Sequence, residues 1–117
     1  MKIAVAVTLA ALFAAPLAHA DGPAGSAVNG KALFMKNMCY TCHGTVGQGG
    51  ERGAGPKLAP NPFPFAAFEM QLRTPRGVMP RFPKQFVSDR ELADIYQYVA
   101  SIPAGKPASE IALLKGR

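Results

Sequence analysis

The sequence predicts a small all-α fold of about three to four helices, and three apolar patterns support this prediction. One covers residues 30–39, a second places Phe65, Phe68 and Leu72 at the helical intervals i, i+3 and i+7, and a third covers residues 88–102. The chain has 117 residues, of which 49% are hydrophobic and 17% charged, so it is neither the charge-rich type that stays disordered nor a membrane protein. A domain this small often needs a cofactor, a metal or disulfides to complete its core.

The first helix is expected over residues 30–39. Val28, Ala32, Met35 and Cys39 recur at helical spacing and would form its apolar face. We expect this helix to run directly into the short motif that follows it.

The middle of the chain is a long loop. Residues 44–64 contain six glycines and four prolines. This stretch has too few apolar residues to fold on its own. Either another object, such as a cofactor, organises the loop, or it is a disordered linker between two segments. Neither segment is large enough to be a domain by itself.

The last helix has the clearest boundaries. Ser88 and Glu91 form the pattern of a capping box, and Val87 with Leu92 forms a hydrophobic staple. Pro103 marks the end of the helix. Its expected apolar face consists of Leu92, Ile95, Tyr96 and Val99.

The two ends of the chain are expected to lie outside the domain. Residues 1–20 combine a positive start, an apolar run and the small residues of Ala18-His19-Ala20, the pattern of a secretory signal peptide cleaved before Asp21. An uncleaved anchor is the alternative, but a membrane span needs about 20 apolar residues. Cleavage predicts export to the periplasm and a domain over residues 21–103. Residues 104–117 form a tail, either a frayed end or a contact arm for a partner subunit.

The two cysteines of the chain lie in Cys39-Tyr40-Thr41-Cys42-His43. This is C-x-x-C-H, the attachment signature of c-type haem. Residues at i, i+3 and i+4 share one helix face, so two thiols can meet one porphyrin while His43 reaches the iron. The alternatives are a redox C-x-x-C pair, a structural disulfide and half of a zinc site. Each lacks a feature it needs: a βαβ context, a longer loop, or further ligands.

A methionine is the expected second axial ligand, because no other histidine remains after signal cleavage. Met35 and Met38 lie on the helix that precedes the motif and cannot easily reach around the porphyrin. Met70 falls within the apolar helical pattern of the second helix. Met79 lies between two prolines that prevent regular structure, and a rigid loop can direct a side chain at a metal. We therefore expect Met79 to be the ligand.

These motifs resemble those of class I c-type cytochromes over residues 29 to about 102. The matching residues are Gly30, Phe34, the Cys39–His43 motif with Gly44, residues 55–58, residues 76–82, Ile95 and Tyr98. The resemblance implies a cytochrome c-like fold around one covalent haem c, attached through Cys39 and Cys42. It implies axial ligation by His43 and Met79, and a hydrogen bond from the His43 ring to the Pro56 carbonyl. It also implies that Gly30 and Phe34 pack against Ile95 and Tyr98.

With both axial positions filled by protein, the expected function is single-electron transfer rather than catalysis. The segment around Met79 resembles that of cytochrome subunits that accept electrons from a periplasmic dehydrogenase, often a flavoprotein, and pass them to the respiratory chain. A free periplasmic carrier is the alternative. A ligand-binding sensor or peroxidase would require Met79 to leave the iron.

Four cations lie near Met79 in sequence: Arg73, Arg76, Arg81 and Lys84. They predict a partner with an acidic docking surface, whose field would speed encounter and weaken with added salt. Alternatively, one or two of them pair with haem propionates and the rest are solvated. Nucleic acid is not an expected partner of an exported haem protein.

Overall fold

The computed structural model describes residues 22–51 and 54–114, and within them it is all-helical. Two single-turn 3₁₀ helices, Ala108–Glu110 and Ala112–Leu114, follow the last of four α-helices. The predicted class, with three to four helices, is confirmed. The α-helices are α1 (Ala27–Lys36), α2 (Tyr40–His43), α3 (Phe65–Arg73) and α4 (Asp89–Ser101). The predicted signal peptide lies outside the described residues.

Helix α1 differs from its prediction at both ends. It begins at Ala27 because the Ser26 side chain caps it, accepting a hydrogen bond of 3.2 Å from the Asn29 backbone N–H. It ends at Lys36 because Met38 has a left-handed φ of 57°, a conformation that a helix does not continue through. The prediction of an unbroken helix into the cysteine motif is therefore wrong.

The buried face of α1 also differs from the predicted one. Val28, a member of the predicted apolar face, is 86% exposed. The buried residues of the helix are Gly30, Leu33 and Phe34. Spacing alone could not distinguish the two faces, because both carry apolar residues at helical intervals.

Helices α1 and α4 cross at Gly30, in the arrangement that the resemblance implies. A Cβ atom at Gly30 would overlap the Asp94 carbonyl and lie 2.9 Å from the Tyr98 Cβ atom. The Phe34 and Tyr98 rings meet edge to face with centroids 5.5 Å apart. Glycine at this position therefore allows the two backbones to approach closely.

Helix α4 follows its prediction. The Ser88 side chain accepts from the Glu91 N–H, and the Glu91 carboxylate accepts from the Ser88 N–H, so the capping box is complete. Val87 and Leu92 are both buried. All four residues of the predicted apolar face are buried: Leu92, Ile95, Tyr96 and Val99.

Helix α3 packs against α4 through aromatic residues. Phe65 and Phe68 each place a ring centroid 5.2 Å from that of Tyr96, in edge-to-face geometry. Phe68 and Leu72 are buried, as their spacing predicted. The core therefore lies between α4 on one side and α1 and α3 on the other.

The chain before α1 is held against α4 by a buried carboxylate. Asp94 is 3% exposed and accepts hydrogen bonds from the Ser26 backbone N–H at 2.6 Å and from Asn29 Nδ2 at 2.7 Å. These two hydrogen bonds hold the pKa of Asp94 below its usual range. The Gln97 side chain adds a hydrogen bond of 3.1 Å to the Pro23 carbonyl.

Beyond α4 the described tail, residues 102–114, is mostly exposed, and Leu113 is 90% exposed. The two 3₁₀ turns, Ala108–Glu110 and Ala112–Leu114, lie in this tail. Among the described residues, no helix has the length and apolar character that crossing a membrane requires.

Candidate functional site

The cysteine motif occupies a helical turn of its own. Met38, in the left-handed conformation, turns the backbone after α1, and α2 starts at Tyr40. The Cys39 N–H donates back to the Phe34 carbonyl at 3.1 Å, and the His43 N–H donates to the Cys39 carbonyl at 3.0 Å. This turn brings both cysteines and His43 to one side of the backbone.

The two thiols have different surroundings. Cys39 is partly buried and packs against the hydrophobic core, whereas Cys42 is exposed. Burial raises the pKa of the Cys39 thiol to about 11. A redox cysteine pair needs a thiol pKa lowered towards neutrality, so this environment does not favour the redox alternative.

His43 is buried, with 8% of its surface exposed, and its ring is held by a backbone carbonyl. His43 Nδ1 lies 2.8 Å from the Pro56 carbonyl oxygen. Because a carbonyl can only accept, Nδ1 is the donor in this contact, and in the neutral ring Nε2 is then the nitrogen with the lone pair. The ring is thus oriented with the nitrogen that can bind a metal directed away from Pro56.

The glycine-rich loop wraps closely around this turn. The Gly49 N–H donates to the His43 carbonyl at 2.9 Å. A Cβ atom at Gly50 or at Gly55 would overlap the Cys42 carbonyl. The described loop residues are therefore organised by the cysteine motif, and they place Pro56 where its carbonyl meets the His43 ring.

Met79 is the partly buried methionine of the segment that follows α3, and it packs against the hydrophobic core. Gly77, with a φ of 72°, turns the chain before it, and Val78 is 97% exposed. The other methionines in the described part of the chain are more exposed: Met35 is 38%, Met38 63% and Met70 58% exposed.

The cations near Met79 do not all face solvent. The Arg73 guanidinium turns inward, donating to the Phe82 carbonyl at 2.8 Å, to the Val87 carbonyl at 2.6 Å and to Asp89 at 2.9 Å. Its Nε is buried without a partner among the described residues. Arg73 therefore fixes the chain after Met79, and with 15% of its side chain exposed it is largely withdrawn from a docking surface.

Asp89 also pairs with Lys84, whose Nζ lies 2.7 Å from the carboxylate. The hydrogen bond from Lys84, with that from Arg73, holds the pKa of Asp89 below its usual range. Arg76 and Arg81 are exposed. Arg81 Nε donates to the Arg73 carbonyl at 2.9 Å, but among the described residues neither arginine pairs with a carboxylate, so these two are the cations available to a positive docking surface.

Sequence reasoning missed three polar residues, two that hold the Met79 segment and one that holds the chain before α1. Arg73 was taken for a surface charge, and neither Asp94 nor Gln71 was singled out. Gln71 Nε2 lies 3.6 Å from the Met79 sulfur. Their contacts span from 5 to 68 positions along the chain, and no periodic pattern in the sequence signals them.

The donor set of this structure fits a covalent haem. Two thiols share a helical turn, a buried imidazole is held through Nδ1 by a carbonyl, and a partly buried thioether lies on the loop after α3. A small all-α fold built around such a turn defines a c-type cytochrome, a class of electron-transfer proteins.

The chain belongs to the family described as "Cytochrome C oxidase, cbb3-type, subunit III", which matches residues 25–99. It is 36% identical over 99 residues to the cytochrome c subunit of 4-cresol dehydrogenase [hydroxylating] from Pseudomonas putida, covering 85% of this chain and 78% of that protein. A chain in the crystal structure of p-cresol methylhydroxylase with substrate bound is 35% identical. The two structures align with a TM-score of 0.54, and the match covers 64% of this chain and 93% of the p-cresol methylhydroxylase chain. The resemblance to c-type cytochromes and the cytochrome c-like fold are confirmed.

Proposed function

We propose that this chain is the electron-carrying, non-catalytic subunit of a dehydrogenase, with one haem c bound between the α2 turn and the Met79 loop. The observation that carries the proposal is the buried His43 ring, held by the Pro56 carbonyl within C-x-x-C-H. When bound, the haem supplies one-electron transfer between its ferrous and ferric states.

The cysteines would hold the haem covalently. Each thioether bond uses one thiol, and the chain has two cysteines, so it attaches a single haem through Cys39 and Cys42. The partly buried Cys39, which packs against the core, and the exposed Cys42 would each hold the haem through one thioether bond.

His43 Nε2 and Met79 Sδ would occupy the two axial positions of the iron. Pro56 keeps the proton on Nδ1 and so keeps Nε2 available. With both positions held by the protein, no site remains for oxygen, peroxide or an organic substrate. The surrounding chain then has the tasks of excluding water and presenting a surface for docking.

The relatives support a dehydrogenase as the electron donor, since the curated one is itself the cytochrome c subunit of a dehydrogenase. A flavoprotein dehydrogenase with an acidic docking surface fits the exposed Arg76 and Arg81. The electrons would then pass to the respiratory chain. Stable co-purification with the donor supports a subunit role, whereas a monomer that many donors reduce promptly supports a free periplasmic carrier.

Export and domain organisation are part of the same proposal. Residues 1–20 act as a signal peptide that is removed, residues 21–103 form the cytochrome domain in the periplasm, and residues 104–117 are a tail. The family match ends at residue 99, which supports a tail outside the domain.

A test uses protein produced with c-type haem maturation. The denatured mature chain should keep one haem, and Cys39→Ser and Cys42→Ser should each leave a single thioether bond, which moves the pyridine haemochrome band of the reduced haem to longer wavelength. Carbon monoxide should not change the spectrum of the reduced protein. A carbon monoxide complex would mean an open axial site, and the carrier function would give way to a ligand-binding or peroxidase function.

A further inference from the structure

A glutamine side chain of α3, Gln71, forms hydrogen bonds with the loop that carries Met79. Gln71 is half-buried and directed at the loop. Its Oε1 accepts from the Arg76 backbone N–H at 3.4 Å, and its Nε2 donates to the Arg76 carbonyl at 3.4 Å. The same Nε2 lies 3.6 Å from Met79 Sδ, within the longer range that a sulfur acceptor allows.

The backbone of Arg76 determines which way the Gln71 amide points. An N–H can only donate and a carbonyl can only accept, so Oε1 must face the Arg76 N–H and Nε2 the Arg76 carbonyl. Nε2 has two hydrogens. One goes to the Arg76 carbonyl, and the other is directed at the sulfur of Met79.

The loop needs such support because of its own sequence. Gly77 has a positive φ and would have no neighbour within 4 Å of a Cβ atom, and Val78 is 97% exposed. The ends of the loop are fixed by backbone hydrogen bonds, from the Thr74 N–H to the Met70 carbonyl at 2.7 Å and from the Phe82 N–H to the Leu72 carbonyl at 2.9 Å. Gln71 holds the part between them.

We propose that Gln71 is the positioning residue for Met79: it holds the loop at Arg76 and donates a hydrogen bond to the sulfur. The inference rests on the proposed function, in which Met79 binds the iron. A donor on the sulfur withdraws electron density from it, which disfavours the ferric state relative to the ferrous state and so raises the midpoint potential. It also opposes release of the sulfur from the iron.

The test measures imidazole binding to the ferric holoprotein, because imidazole competes with the methionine for the iron. Gln71→Leu removes all three contacts. Gln71→Glu keeps an acceptor for the Arg76 N–H and removes both N–H donors. The matched control is Gln97→Leu, which removes another half-buried glutamine amide, bonded to the Pro23 carbonyl instead.

Both Gln71 variants should bind imidazole about two- to tenfold more tightly than the native protein, the range that one hydrogen bond accounts for. Their midpoint potentials should fall, while Gln97→Leu keeps native values. Gln71 variants that match Gln97→Leu, or that lose only thermal stability, would overturn the proposal. A change in imidazole affinity and potential that occurs in Gln71→Leu but not in Gln71→Glu would also overturn it, because both variants lack the N–H donor to the sulfur.

Failure of the underlying function would look different. A native ferric protein without the far-red sulfur-to-iron band would show that Met79 does not bind the iron, and both proposals would fall together. If the native protein shows the band but the Gln71 variants keep the native imidazole affinity and midpoint potential, only the role of Gln71 is contradicted.

Discussion

The residues nearest to His43 act mainly through their backbones. The Pro56 carbonyl fixes the ring, and the carbonyls of Cys42 and His43 face glycines of the loop. At Gly50 and Gly55 the lack of a side chain is what allows the loop backbone to approach the Cys42 carbonyl. The glycines of the loop therefore have a direct part in placing the histidine.

Gly55→Ala should damage the site. The added Cβ would meet the Cys42 carbonyl, and relieving the overlap must shift either the cysteine turn or Pro56. Overpacking of this kind costs about 1–3 kcal/mol, and a domain of this size loses about 4–8 °C in Tm for each kcal/mol. The melting temperature and the yield of covalent haem should both fall.

Gly105→Ala is the matched control, because no atom lies within 4 Å of a Cβ atom at that position. Equal behaviour of the two variants would show that the close approach at Gly55 is not needed.

Among the helices, α4 is the one that the sequence predicts best, and the reason is local. Its start depends on Ser88 and Glu91, which recognise each other within one turn. The end of α1 depends instead on the left-handed Met38, a residue type without a preference for that conformation. The inward turn of Arg73 is likewise set by partners 9 to 16 positions away.

The same distinction applies to the candidate site. The Cys39–His43 motif and Met79 stand out in the sequence because cysteine spacing and flanking prolines mark them, and their roles as haem ligands stay predictions. The contact of Gln71 with Met79 depends on how α3 packs beside the loop, which no local pattern encodes.

Ser88→Ala should destabilise the protein by about 1 kcal/mol through loss of the N-cap. The Ser88 hydroxyl accepts from the Glu91 N–H and donates to the Glu91 carboxylate, so the start of α4 loses both contacts. Denaturant unfolding of the holoprotein measures the change. Ser109→Ala, in the exposed tail, should be neutral, and an equal loss in both variants would contradict a specific role for the cap.

For the whole molecule, stability should depend on the ionisation of α4. The pKa values of Asp89, Glu91 and Asp94 are all lowered by hydrogen bonds that the folded state makes to their carboxylates. A carboxyl group whose pKa is lower in the folded state contributes stability above its unfolded pKa of about 4. That contribution is lost as the pH falls through the folded pKa.

Asp94→Asn isolates the buried member of this set. The variant should be less stable than the native protein at pH 7 by about 1.5–3 kcal/mol, the range for hydrogen bonds to a charged group. The difference between the two proteins should shrink as the pH is lowered from about 5 to below the folded pKa of Asp94. Thermal melts across this range measure it, and a difference that does not change with pH would contradict the role given to the Asp94 charge.

The absorption spectrum of the ferric holoprotein tests the central claim, axial ligation by His43 and Met79, most directly. The native protein should show the weak far-red band of a sulfur-to-iron bond. Met79→Ala should lose the band, and Met70→Ala, which removes an exposed methionine of α3, should keep it. A band that survives in Met79→Ala, or a high-spin native spectrum without the band, would contradict the account.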